Sequence, residues 1–202
     1  LTSEWIVKAD ILIAADGGLR HCRQLNLVPD ILIGDFDSLT EEELLEMEKR
    51  GVQVERFPAR KDETDLELAL HTACQKNVDE ILVLGGLGAR WDQTIANLLL
   101  PASQRFRQVP IILVDGEHEL YVLNAPPVKK IQLHGKAGDT LSLIPLAGDV
   151  KGVRTQGLEY ALYGEALSFG ATRGLSNVLI EDTAQIEIQQ GSLLVVLIHL
   201  SG

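Results

Sequence analysis

Positive charge is scarce in this chain. Its 202 residues carry 18 lysines and arginines against 29 aspartates and glutamates, a formal net charge of −11. That balance argues against nucleic acid or an anionic membrane surface as partner. Long apolar runs are missing too: the longest, Leu193 to Ile198, is far too short to cross a bilayer. Residues 1–10 contain Glu4, Lys8 and Asp10 and none of the apolar core of a signal peptide. The only cysteines, Cys22 and Cys74, form no C-x-x-C pair and sit in helical patterns. Free thiols in a reducing compartment, and hence a soluble cytoplasmic protein, are expected. The five histidines lack metal-ligand spacing and read as ordinary surface or core residues. Neither G-x-G-x-x-G nor G-x-x-x-x-G-K-[ST] occurs, so the dinucleotide and P-loop readings lack their residues.

The apolar content, 46%, is ample for a globular core, and the length allows one or two domains. From residue 11 to 115 short apolar runs (Ile11–Ala15, Ile31–Ile33, Val52–Val54, Ile81–Leu84, Ile111–Val114) alternate with helical segments. Leu66, Ala69, Leu70, Ala73 and Cys74 follow the stripe of a core-facing helix. Thr40 with Glu43, and Thr64 with Glu67, match the capping box of a helix start. Gly51 suits a left-handed helix end, and Pro101 ends or kinks the helix that begins near Asp92. Such alternation predicts a mostly parallel sheet covered on both faces. After Asp115 the texture turns to short β segments and glycine-rich turns, with Gln189-Gln190-Gly191-Ser192 expected to turn a final hairpin. An α/β domain over residues 1–117 and a small all-β sandwich over 118–202 are expected. The stretch Tyr163 to Asn177 fits no regular element, and long irregular loops in compact domains tend to be functional.

Five aspartates stand where strands give way to loops or helix starts: Asp35 and Asp37 in G-D-F-D-S, Asp62 and Asp65 in K-D-E-T-D, and Asp92 in G-G-L-G-A-R-W-D. Each cluster has a bland reading. The first makes Asx turns, the second complements a helix dipole, and the glycines form a plain strand-to-helix turn. Their recurrence on successive loops of one sheet edge shifts the balance, because ligands of open α/β sheets bind at the carboxyl ends of the strands. Converging carboxylates repel unless a hard cation sits among them. Mg²⁺ takes a few carboxylate oxygens and completes its shell with substrate phosphates, so the pattern reads as a metal–nucleotide site.

The blocks Ala15-Asp16-Gly17-Gly18, Pro29-Asp30 to Ser38, K-D-E-T-D at 61–65, G-G-L-G-A-R-W-D at 85–92 with Asn97, and Thr172 to Asn177 occur in one order. In them the chain closely resembles the thiamin pyrophosphokinase family along nearly its whole length. The resemblance implies an N-terminal α/β catalytic domain, a C-terminal β-sandwich and a homodimer. It also implies transfer of a diphosphoryl group from ATP to the hydroxyl of thiamin, releasing AMP. By that likeness Asp35, Asp37 and Asp65 would hold Mg²⁺. ATP would meet Asp16, Gly17, Gly18, Lys61, Asp62, Gly85, Gly88, Arg90 and Asn97. Asp92 would orient or deprotonate the hydroxyl or complete the metal shell, and Arg173, Ser176 and Asn177 would face thiamin. Thiamin's permanent cation suits an acidic protein, and the 163–177 loop has no cluster of carboxylates or aromatics of the carbohydrate-binding kind.

The chain departs from the family pattern in three places. Only ten residues precede Ile11, where the family carries a further strand, so a truncated start is expected. Gln93 stands where a histidine often follows the last aspartate, and no tryptophan occurs late in the β half. Two rival readings remain at this stage. A haloacid-dehalogenase-type phosphohydrolase also uses D-x-D after a strand, but Ser38-Leu39 does not supply its Thr or Val, and it gives the β half no role. A non-catalytic nucleotide sensor would be marked by loss of the carboxylates, and all are present.

Overall fold

The computed structural model describes residues 6, 9–37, 39–88 and 90–200. The expectation about the chain's start, and Ser38, therefore lie outside the described residues. By contacts the chain forms two compact units that part between Asp79 and Glu80.

In the first unit β1 (Ile13–Ala15), β2 (Ile31–Gly34) and β3 (Gln53–Arg56) form a parallel sheet in that order. Helices α1 (Gly18–Gln24), α2 (Glu41–Lys49) and α3 (Asp65–Gln75) connect or follow these strands. Successive side chains of a strand face opposite ways, and β2 uses both faces. Leu32 packs with Leu19, Leu44 and Met47 of α1 and α2, while Ile31 and Ile33 pack with Leu68 and Ala69 of α3. Burial on both faces explains why β2 reads as a continuous apolar run rather than an alternating one. The box expected at Thr40 forms in full, and at Thr64 its side-chain cap forms. Thr40 Oγ1 accepts from Glu43 N at 3.2 Å while Glu43 Oε2 accepts from Thr40 N at 2.9 Å. Thr64 Oγ1 accepts from Glu67 N, and Gly51 follows α2 with φ of 87°.

The second unit begins with β4 (Ile81–Leu84), α4 (Trp91–Leu99) and a 3₁₀ turn (Leu100–Ala102) containing Pro101, so the helix stops where proline removes a donor. Then come β5 (Ile111–Asp115), β6 (His118–Ala125), β7 (Lys129–His134), β8 (Thr140–Pro145), β9 (Val150–Gln156), β10 (Tyr163–Leu167), β11 (Asn177–Val178), β12 (Thr183–Ile188) and β13 (Gly191–Ile198). A six-stranded sheet runs β11-β8-β13-β6-β5-β4, and a four-stranded antiparallel sheet runs β10-β9-β12-β7. One apolar core contains residues of both, among them Leu141, Val153, Ile186 and Val195.

Three expectations need revision. The first five residues of the stretch 163–177, expected to be irregular, form β10, because they pair antiparallel with β9. The strands of residues 11–115 do not lie in a single sheet: β4 and β5 pair with each other in parallel, but β5 pairs antiparallel with β6. Those bonds, rather than the change of composition near 117, decide which residues cluster together. Nor do β12 and β13 form a hairpin. β12 pairs with β7 and β9, whereas β13 pairs with β6 and β8 in the other sheet. The cause is burial: Leu193, Leu194 and Val195 are consecutive buried residues, which a strand needs only where both faces are covered. Among the described residues no helix is long and apolar enough to cross a membrane.

The end of β13 is tied down by buried polar groups. Asp139, 2% exposed, accepts from Lys136 N at 2.8 Å and Leu200 N at 2.9 Å. His199 Nδ1 lies 3.1 Å from Asp139 Oδ2 and Nε2 lies 3.2 Å from Glu119 Oε1, while the Tyr121 hydroxyl donates to Glu119. Burial raises the Asp139 carboxyl, but the amides of Leu200 and Lys136 and the imidazole outweigh it, leaving the group below its ordinary value. A depressed carboxylate contributes stability above the ordinary carboxylate range and loses it as pH falls. Asp139→Ala is therefore expected to lower the unfolding free energy by about 3 kcal/mol at neutral pH. The deficit should shrink below about pH 4, as read by urea titrations of both proteins. A deficit independent of pH would contradict the charged assignment.

Candidate active site

The carboxyl ends of β1 and β2 lie side by side because the strands are parallel neighbours. Asp16 follows β1 and its amide donates to Ile33 O at 2.7 Å, so the turn remains attached to β2. Gly34, the last residue of β2, is where the two segments come closest. A Cβ there would stand 3.2 Å from Asp16 Cβ and 3.3 Å from Phe36 Cε1. Asp16 and Phe36 adopt φ of 39° and 59°, conformations that side chains rarely take and that cluster at functional sites. Phe36 is 4% exposed and packs with Leu32, Leu44 and Met47. Its buried ring anchors the loop while Asp35 on one side stays half-buried and Asp37 on the other is exposed.

The result is a carboxylate cluster. One oxygen from each of Asp16, Asp35 and Asp37 lies within 4.8 Å of the others. Asp16 Oδ1 is buried and has no hydrogen-bond partner. Burial raises the Asp16 carboxyl above its ordinary value, and the charges of Asp65, Asp35 and Asp37 add to this against an opposing bond from the Gly17 amide. An orphaned buried oxygen among acceptor-only groups is costly unless a cation satisfies it. The donor set, oxygen throughout, fits a hard ion such as Mg²⁺. The geometric set thus differs from the expected one: Asp16 joins Asp35 and Asp37.

Asp65 lies close enough for its charge to act on Asp16. Its Oδ1 lies 2.8 Å from Lys61 Nζ, and both side chains are largely covered, at 28% and 12% exposure. This i,i+4 pair holds an ammonium at the start of α3, beside a carboxylate whose own negative charge is felt by Asp16. Asp62 is exposed. A Cβ on Gly17 would meet nothing within 4 Å and one on Gly18 only Ala14 at 3.9 Å, so packing does not require glycine there.

In the second unit the glycine-rich loop joins β4 to α4. Asn97 Nδ2 donates to Gly86 O at 2.6 Å, and Gly88 N donates to Thr94 Oγ1 at 3.2 Å. Asn97 and the Gly88 amide, both expected to meet ATP, are therefore occupied in fastening the loop to the helix. Gly85 has φ of 67°. Arg90 binds Asp92 through two nitrogens, at 3.2 and 2.5 Å, in an exposed pair. The guanidinium, with the Gln93 amide, holds the Asp92 carboxyl below its ordinary value, which makes it a poor proton acceptor.

The T-R-G-L-S-N segment is folded against β8. Leu143 N donates to Gly174 O at 2.8 Å, and a Cβ on Gly174 would stand 2.2 Å from Leu143 O. Arg173 pairs with Glu165 at 3.5 Å. Ser176 is exposed with φ of 56°, and its amide donates to Ser142 Oγ at 3.1 Å. Asn177 is buried. Its Oδ1 accepts from Tyr160 N at 3.0 Å and Val178 N at 2.9 Å, and its Nδ2 donates to Tyr160 O at 2.8 Å. Its amide is thus largely committed to the backbone, leaving Ser176 as the more available side chain. Ser142 and Thr94 carry no signal in sequence, since each matters through a contact that only folding creates.

Comparison with known proteins covers both halves. The family model "Thiamin pyrophosphokinase, catalytic domain" matches residues 2–113, and "Thiamin pyrophosphokinase, vitamin B1 binding domain" matches residues 128–193. The thiamine pyrophosphokinase of Bacillus subtilis is 29% identical over 184 residues, spanning 91% of this chain and 85% of that protein. Its crystal structure superposes with a TM-score of 0.81 at 26% identity, covering 94% of this chain and 87% of the other. The thiamin pyrophosphokinase family protein of Enterococcus faecalis gives 0.82 at 26% identity, covering 94% and 88%.

Proposed function

The chain belongs to the thiamin pyrophosphokinase family, and from that premise we propose which of its residues carry the reaction. The activity is diphosphoryl transfer from ATP to the hydroxyl of thiamin, giving thiamin diphosphate and AMP. The fold is mixed α/β with several sheets. We assign ATP and metal binding to residues 1–117 and thiamin binding to a β-sandwich over 118–202. The descriptions of the two family matches support that division, although contacts part the chain earlier. We assign the cytoplasm as the compartment, supported by two cysteines that form no C-x-x-C pair in an acidic chain. A homodimer is part of the same reading.

The thiamin oxygen forms a bond to the β-phosphorus as the bond from that phosphorus to the α,β-bridging oxygen breaks. The hydroxyl proton passes to solvent water and AMP departs. The observation that carries this reading is the Asp16, Asp35 and Asp37 cluster with its orphaned oxygen. Mg²⁺ held there would neutralise and orient the triphosphate. Lys61, fixed by Asp65, supplies a permanent charge for phosphate oxygens, and Arg90, fixed by Asp92, supplies a second. Gly17, Gly18, Gly85 and Gly88 are assigned to the nucleotide as small loop positions, and Asp62 is assigned to it with them. Asp92 orients rather than deprotonates, because its guanidinium partner keeps it a weak base. Positioning of the alcohol and the phosphate carries the catalysis.

Ser176 presents a hydroxyl to the aminopyrimidine, Arg173 flanks it, and Asn177 contributes by holding the chain beneath. Incubation with ATP, Mg²⁺ and thiamin should yield AMP and thiamin diphosphate in equal amounts. Release of ADP or phosphate instead would refute the transfer. In the same assay oxythiamin, with a keto group replacing the 4′-amino group, should show kcat/KM lower by about ten-fold or more, since a site built for a donor is left unpaired. Equal use of both compounds would contradict recognition through the amino group while leaving the transfer itself intact.

A further inference from the structure

We propose that Ser142, a buried residue of β8, is a positioning residue for thiamin: its hydroxyl holds Ser176 in the conformation that the substrate meets. The inference rests on the assignment of Ser176 to the thiamin site. Ser176 has φ of 56°, a region where residues with a Cβ are uncommon and which persists only when the surroundings over-determine it. The surroundings can be named. Two residues earlier, Gly174 lies against the Leu143 backbone and accepts its amide. One residue later, Asn177 pairs with Leu141 in the β11–β8 ladder and grips the Tyr160 backbone from both sides.

Between these anchors Ser176 is exposed, yet its amide reaches a hydroxyl on a residue only 9% exposed, 34 positions away, at 3.1 Å. The bond ties the amide of the inverted residue directly to β8. Ser142 therefore acts on the direction of the Ser176 side chain rather than on the stability of the ladder, which Leu141 and Leu143 maintain with their own backbone groups.

The test is a double-mutant cycle read in steady-state kinetics. Ser142→Ala should raise KM for thiamin by about five-fold, the value of one hydrogen bond. The values of kcat and KM for ATP should stay within about two-fold, the ordinary scatter of independent sites. Ser142→Thr, which restores the acceptor, should return KM for thiamin to the wild-type value. Ser176→Ala should raise KM for thiamin by itself, and adding Ser142→Ala to it should cost nothing more. An unchanged KM in Ser142→Ala alongside a raised one in Ser176→Ala would overturn the inference while sparing the Ser176 assignment. Additive effects would overturn it too. No effect of Ser176→Ala would remove the assignment and the inference together. If Ser142→Ala fails to fold, Ser142→Cys, of similar volume and weaker accepting power, carries the same expectations with a smaller rise.

Discussion

Asp16→Asn, Asp35→Asn and Asp37→Asn should each cut turnover at least about 100-fold, the order of a key electrostatic group lost from an active site, without unfolding the protein. The three carboxylates share one cluster, and asparagine keeps their volume while removing the charge that a divalent cation needs. Asp16 gives a second readout. Its carboxyl is raised by burial and by three neighbouring aspartates, so the charged form is disfavoured in the folded state. A neutral isostere should then leave thermal stability without metal unchanged or higher, even as activity falls. That opposition of stability and function is the mark of a site strained for a ligand rather than for the fold. Near-wild-type turnover of all three variants at saturating Mg²⁺ would remove the assignment. Asp65→Asn should fall in the same range, since its charge reaches Asp16 and its Oδ1, although 2.8 Å from Lys61 Nζ, is buried without a hydrogen-bond partner.

Gly174→Val should abolish measurable use of thiamin, with a rise in KM of about 100-fold or loss of saturation, since a forced backbone shift of about 1 Å at a substrate loop has effects of that order. A Cβ there would stand 2.2 Å from the Leu143 carbonyl oxygen and 3.0 Å from Leu143 Cβ. Leu143 belongs to β8, paired along its length to β13, and has little freedom to retreat. The loop must lift instead and take Ser176 with it. The same variant tests the homodimer. If each site combines the aspartates of one chain with the 163–177 segment of the other, mixing Gly174→Val with Asp35→Asn should create intact sites in mixed dimers. Random pairing with two sites per dimer puts recovery near about a quarter of wild-type activity. Demonstrated subunit exchange with no recovery would refute the shared site.

Much of this protein was readable from neighbouring residues. The Thr40–Glu43 box, Gly51 after α2 and Pro101 after α4 mark element ends through contacts within a few positions, and those ends stand where expected. The five ordered blocks pointed to the family that both halves match. The aspartates after β2 were recognisable as candidates because a strand end is a local pattern.

What the chain order could not specify is which strand edges meet. β5 joins β6 rather than the β1–β3 sheet, and β12 and β13 enter different sheets, because pairing depends on burial of both faces against partners tens of residues away. The site shows the same limit. Asp16 joins Asp35 and Asp37 through the β1–β2 register, and Asp65 brings its charge to Asp16 while facing Lys61. Asn177 is spent on Tyr160, and Ser142 gains its role from an amide 34 positions away. Composition and local pattern determined the chemistry available, a set of carboxylates, cations and small residues at loop positions. Only the tertiary structure decided which of them meet and which are already committed, because side-chain hydrogen bonds and ion pairs are set by distances of a few ångströms that spacing along the chain does not encode.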